Sequence, residues 1–87
     1  MNTPDSQDII KRFFDALYYL KSTKEIRGKA TFTREHNIDR WNLNKLEKDM
    51  SRDIFQVSWL YYLVKDYGIS SQWLLTGIGP IKKAIKR

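Results

Sequence analysis

Apolar residues recur at Ile9, Ile10, Phe13, Phe14, Ala16, Leu17 and Leu20. This is the i, i+3, i+4, i+7 spacing that buries one face of a helix. Thr3, Pro4, Asp5 and Ser6 precede it as a start signal, with Pro4 suited to the first turn. Tyr18 and Tyr19 widen the stripe, and the polar stretch 21–29, which includes Gly28, reads as the connection out of the helix. Thr31 is expected to cap a short second helix over 32–36. Asn37 is expected to end it, because Asn tolerates the left-handed conformation. Asp39 is expected to cap a third helix over 40–48, with Leu43 and Leu46 inward and Ile38 just before it. Ser51 and Asp53 predict the start of a fourth helix over 54–67, with Val57, Leu60, Tyr61 and Val64 as its inner stripe, stopped at Gly68. Ser70 or Ser71 caps a fifth helix that runs to Leu75 and stops at Gly77. Gly79 and Pro80 mark a turn. The apolar run 57–64 reads as helix rather than strand because its helical spacing continues to Tyr67. The pattern predicts an all-α fold of five short helices on one core.

A chain of 87 residues has room for one domain. The expected division is a helical domain over 1–80 and a basic tail over 81–87. Charge adds a functional hint. Sixteen Lys and Arg stand against ten Asp and Glu, for a net charge of +6. The excess is concentrated in 21–52, where nine basic residues face five acidic ones, and in Lys82, Lys83, Lys86 and Arg87. Such islands attract polyanions. There is no cysteine, hence no disulfide framework and no thiolate site. No apolar run approaches the roughly 18 residues of a membrane span, and the N-terminus lacks a basic region followed by an apolar run. The expected location is therefore cytoplasmic, with no membrane partner. The single histidine, His36, has no Ser or Cys arrangement around it. No glycine-rich phosphate loop occurs, and metal binding would need more His or Cys. An enzyme, a cofactor and a metal are not expected.

Residues 29–48 have the spacing of a helix-turn-helix. With Lys29 as the first position, Phe32, Ile38, Leu43 and Leu46 fall at the fourth, tenth, fifteenth and eighteenth, where two steeply crossing helices need apolar side chains. The fifth must be small and is Thr33. The eighth and ninth are His36 and Asn37, where an apolar residue and Gly are more usual. In such a motif the early outward residues of the second helix reach base edges, and here they are Arg40, Trp41, Asn42, Asn44 and Lys45. Arg suits guanine and Asn suits adenine, each through a bidentate contact. Lys45 and Lys48 suit phosphates, as do Lys29, Thr31 and Thr33 near the start of the preceding helix. Trp41 either reads a base or folds onto the core.

The run Tyr67-Gly68-Ile69-Ser70-Ser71-Gln72-Trp73-Leu74-Leu75-Thr76-Gly77-Ile78-Gly79-Pro80 resembles the closing segment of phage CI-repressor-like regulators. It lies about twenty residues after the helix-turn-helix, and the resemblance covers roughly residues 8–80. It implies a five-helix, lambda-repressor-like fold and sequence-specific binding of double-stranded operator DNA as a repressor-like transcription regulator. It also implies that DNA is met by the first turns of the third helix, at Arg40, Trp41, Asn42, Asn44 and Lys45. Regulators of this kind commonly act as two-fold dimers, so a homodimer is a possible partner state, with Ile78, Ile81 and Ile85 as candidate contacts. From the residues alone, a small helical protein-interaction module with a basic surface is the alternative, and RNA binding a third and weaker reading.

Overall fold

The computed structural model describes residues 3–82. Among them are five helices and no strand beyond one isolated antiparallel bridge between Ile69 and Lys82. Helix α1 spans Pro4–Ser22. Thr3 caps it, its Oγ1 accepting the Ser6 N–H at 3.1 Å, and Pro4 occupies the first turn, where its missing donor costs nothing. Its inner face is Ile10, Phe13, Phe14, Ala16, Leu17 and Leu20, all buried, which matches the helical period of the sequence.

Helix α2 spans Lys29–Glu35 and α3 spans Arg40–Lys48. Helix α2 starts earlier than the capping pattern suggests. Gly28 precedes it without a side-chain cap, and Thr31 lies inside the first turn rather than capping it. The Asn37 backbone adopts φ 55°, and the next residue, Ile38, donates its N–H to the Thr33 carbonyl at 2.8 Å. Together these close α2 in the way a left-handed residue closes many helices. Asp39 then caps α3, its carboxylate accepting the Trp41 N–H at 2.9 Å.

Helix α4 spans Val57–Tyr67 and α5 spans Ser71–Thr76. The expected start of α4 near Ile54 is corrected. Asp49 accepts the Ser51 N–H at 3.1 Å in a local turn, and Gln56 is still extended at φ −114°, ψ 138°. Ile54 and Phe55 instead pack against the core from this non-helical connection. Gly68 (φ 70°) and Gly77 (φ 77°) end α4 and α5 in the left-handed region, where a Cβ is costly. Ser70 caps α5 by accepting the Trp73 N–H at 3.2 Å.

The expected inner stripe of α4 is corrected in part, since Leu60 and Val64 pack against the core as expected. Val57 is 77% exposed and Tyr61 55% exposed, whereas Trp59 and Leu63 are buried. Helix α4 is apolar on two faces, and periodicity does not say which turns inward. Trp59 decides it. Its ring meets Phe55 edge-on at 5.3 Å and lies 5.9 Å from Phe13, which takes the largest apolar area out of water. Val57, Leu60, Tyr61 and Val64 of α4 line an open apolar groove together with Leu74 and Leu75 of α5.

One core joins all five helices. Phe13 is its hub, with edge-on contacts to Phe14, Phe32 and Phe55. Ile26 is buried within the otherwise polar connection after α1. Arg12 crosses from α1 to close the C-terminal end of α5, donating from Nε to the Leu74 carbonyl at 2.8 Å and from Nη2 to the Leu75 carbonyl at 3.0 Å. Residues 81 and 82, the start of the expected tail, belong to the packed body. Ile81 lies against the core and accepts the Ser70 N–H at 2.8 Å, while Lys82 donates to the Tyr67 carbonyl and to Glu25. Lys83, Ile85, Lys86 and Arg87 lie outside the described residues. Among the described residues no helix is long and apolar enough to cross a membrane.

Candidate nucleic-acid interface

Helices α2 and α3 with the turn between them occupy the whole span 29–48. The buried set is the one the spacing demands. Phe32, Leu43 and Leu46 have no exposed surface, Thr33 is 4% exposed, and Ile38 packs at the core edge. With Leu43 and Leu46 inward, the remaining residues of α3 must point outward or sideways.

Trp41, Asn44, Lys45 and Lys48 follow the i, i+3, i+4, i+7 spacing of one face of α3 and line one shallow depression. Trp41 is 68% exposed, so it does not fold onto the core. Lys45 Nζ lies 5.2 Å from the Trp41 ring centroid, a cation–π arrangement that holds the two side chains together. Arg40 is exposed at the first position of the helix, beside this face. Asn42 is turned away from it. It is half-buried and lines a separate polar depression with His36, Asn37, Asp39 and Gln56.

Of the three residues at or near the start of α2 expected to meet phosphates, two are engaged within the fold. Thr33 is buried and its hydroxyl donates to the Ala30 carbonyl at 3.0 Å. Its hydroxyl is therefore enclosed and engaged rather than turned toward a phosphate. Lys29 is half-buried and ion-paired with Glu47 of α3, so its charge is already answered within the fold. Thr31 is half-buried in the first turn.

Glu47 was not singled out by the sequence reading, yet it links three helices. It accepts from Lys29 of α2 and from the Tyr18 hydroxyl of α1. Burial pushes its carboxyl up, but the bonds from Lys29 and Tyr18, with the Lys29 charge, outweigh burial and hold it below the ordinary value. The same bond to Glu47 raises the Tyr18 phenol. A carboxylate with a lowered folded pKa stabilises the fold fully above its unfolded pKa and loses that contribution as pH falls through the folded one. Glu47→Gln is therefore expected to be less stable than the parent at pH 7, by about 1 kcal/mol or less for so partly exposed a pair. The two proteins should converge in strong acid, at about pH 2, below both the ordinary glutamate value and the lowered folded one. Urea titrations at both pH values check this, and a gap that persists in acid would refute it.

His36 ties the turn to α4. Its Nδ1 lies 2.9 Å from the Phe32 carbonyl and its Nε2 2.7 Å from Asp66 Oδ2. Each ring nitrogen faces an acceptor, one on α2 and one on α4. The ring stacks on Tyr62 at 4.5 Å. Next to it, the Tyr67 hydroxyl donates to Glu35 at 3.1 Å, and burial, followed by that carboxylate, raises the Tyr67 phenol strongly. An apolar residue would only fill the position of His36, whereas the histidine both packs and bridges.

No family model, curated protein or solved structure matches this chain.

The chemistry of the outward face is cationic and aromatic. Among the described residues no group of His, Cys, Asp and Glu is placed to hold a metal ion. Arg40, Lys45 and Lys48 offer donors, Asn44 offers a donor and an acceptor, and Trp41 offers an apolar surface. Such a face can meet a polyanion and distinguish features on it.

Proposed function

We propose that this chain is a cytoplasmic, repressor-like transcription regulator of the lambda-repressor-like helix-turn-helix type. In this reading it binds double-stranded DNA sequence-specifically, with α3 in the major groove. The carrying observation is that Arg40, Trp41, Asn44, Lys45 and Lys48 stand outward on a capped helix whose opposite side, Leu43 and Leu46, is locked in the core. Base reading falls to Arg40, Asn44 and Trp41, and Lys45 and Lys48 serve phosphates. Asn42 is turned away from this face, Thr31 is half-buried in the first turn of α2, and Lys29 reaches the face only by leaving Glu47.

A two-fold dimer is part of the proposal. Ile78 is 63% exposed and remains a candidate contact, whereas Ile81 packs on its own core. The apolar groove of α4 and α5 supports a second copy better than the tail does. A monomeric mass at high micromolar concentration, with unchanged DNA binding, would remove the dimer. The same groove is what favours the second reading, a protein-interaction module with a basic surface.

Selection of bound sequences from random duplex DNA tests the function. Enrichment of a palindrome supports both the reading and the dimer. Strong retention without enrichment marks a nonspecific basic binder, and no retention leaves the interaction module. Lys48→Ala is expected to weaken all duplex sequences alike. It should lower the steepness of log K against log salt by about 0.9, the share of one phosphate contact. Binding measured across a salt series checks this, and an unchanged slope would take Lys48 off the phosphates.

A further inference from the structure

Resting on the duplex-DNA reading above, we propose that Trp41 reads the 5-methyl group of a thymine in the major groove. The position of the indole is built. The Asp39 carboxylate accepts the backbone N–H of Trp41 itself, which fixes the residue on the first turn of α3. One turn further on, Lys45 places its ammonium 5.2 Å from the ring centroid. The ring is thus held against the helix by an i, i+4 neighbour while 68% of the residue stays exposed.

The surroundings define the ligand. Trp41, the aliphatic stems of Lys45 and Lys48, and Asn44 line one depression. Its surface is mostly apolar, and its lining includes two cations and an amide. This combination suits an apolar group embedded in a polyanion. Purine edges and cytosine present polar atoms in the major groove, whereas thymine adds a methyl group. A methyl set against the indole takes both surfaces out of water, while Lys45 stays over the ring and the Lys48 ammonium can approach a phosphate on the rim.

The test uses the duplex enriched from the random pool, with each thymine replaced in turn by deoxyuridine, which removes the methyl and nothing else. The full chain is expected to lose about three- to fivefold in affinity at one thymine of each half-site, the worth of one buried carbon at roughly 0.8 kcal/mol. Trp41→Ala should bind the thymine and deoxyuridine duplexes equally at that position, and Trp41→Phe should keep part of the difference. Trp41 is exposed, so thermal unfolding of both variants should match the parent. Wild-type indifference to every deoxyuridine, or Trp41→Ala with undiminished sensitivity, overturns the proposal and leaves DNA reading intact. If no sequence is enriched at all, the DNA reading fails and this assignment falls with it.

Discussion

Phe32→Ala is expected to lower the unfolding free energy by about 3 to 5 kcal/mol, the range for removing a buried aromatic ring. Phe32 has no exposed surface. Its ring meets Phe13 of α1 at 5.7 Å, His36 in the turn at 4.7 Å, and Tyr62 and Tyr67 of α4 at 6.5 and 6.1 Å. Three parts of the fold therefore lose contacts together, and these parts cannot collapse into the cavity without moving α2 and α3. At about 0.05 to 0.15 kcal/mol per residue, a domain of this size has only some 4 to 13 kcal/mol in total, so the variant should be partly unfolded at 37 °C. Phe32→Leu, which keeps most of the volume, should recover much of the loss. Chemical denaturation of the three proteins decides the matter. A loss below about 1 kcal/mol for Phe32→Ala would mean that α2 does not sit on the core in this way.

Arg40→Ala is expected to cost about 1 to 3 kcal/mol, roughly 5- to 150-fold, in discrimination at a single base pair. Arg40 is exposed at the first position of α3, so the fold should tolerate the change. Its guanidinium fork matches the two acceptors of guanine, and Arg40→Lys should not restore the preference because a point charge lacks that geometry. Affinities for the selected duplex, for single-base variants of it and for random duplex give the comparison. Equal losses on selected and random DNA would assign Arg40 to a phosphate instead of a base.

Much of the fold was legible because its signals are local. Asp39 and Ser70 cap α3 and α5 through bonds to backbone groups two and three residues away. Gly68, Gly77 and Asn37 end their helices through their own φ angles. Signals of this range do not depend on the rest of the chain, and the sequence reading placed the boundaries near them well. It misplaced the start of α2 and of α4, where Gly28 and Gln56 make no side-chain cap and nearby hydroxyl and carboxylate residues looked like better caps. Ile26 was missed because one apolar residue in a polar connection has no period.

The outward face of α3 was legible in outline for a related reason. Once Leu43 and Leu46 are inward, the helical repeat places Trp41, Asn44, Lys45 and Lys48 on one outer face. What the repeat does not carry is which of these side chains is already engaged. Lys29 is neutralised by Glu47, eighteen residues away, and Thr33 is enclosed where α2 meets its neighbours. Both facts depend on how the helices cross.

By itself, the sequence determined an all-helical chain, the ends of its capped helices and the inward residues of α1 and α3, because propensity, capping and period act over a few residues. Only the tertiary structure decided three further matters. It turned the Trp59 and Leu63 face of α4 inward and left Val57 and Tyr61 outside, since the aromatic cluster around Phe13 offered Trp59 more contact. It joined His36 to Asp66 and Lys29 to Glu47 across the helices. It also left Trp41 in water under the Lys45 ammonium. Each outcome is a choice between competing partners, and partners distant in sequence meet only when the helices pack.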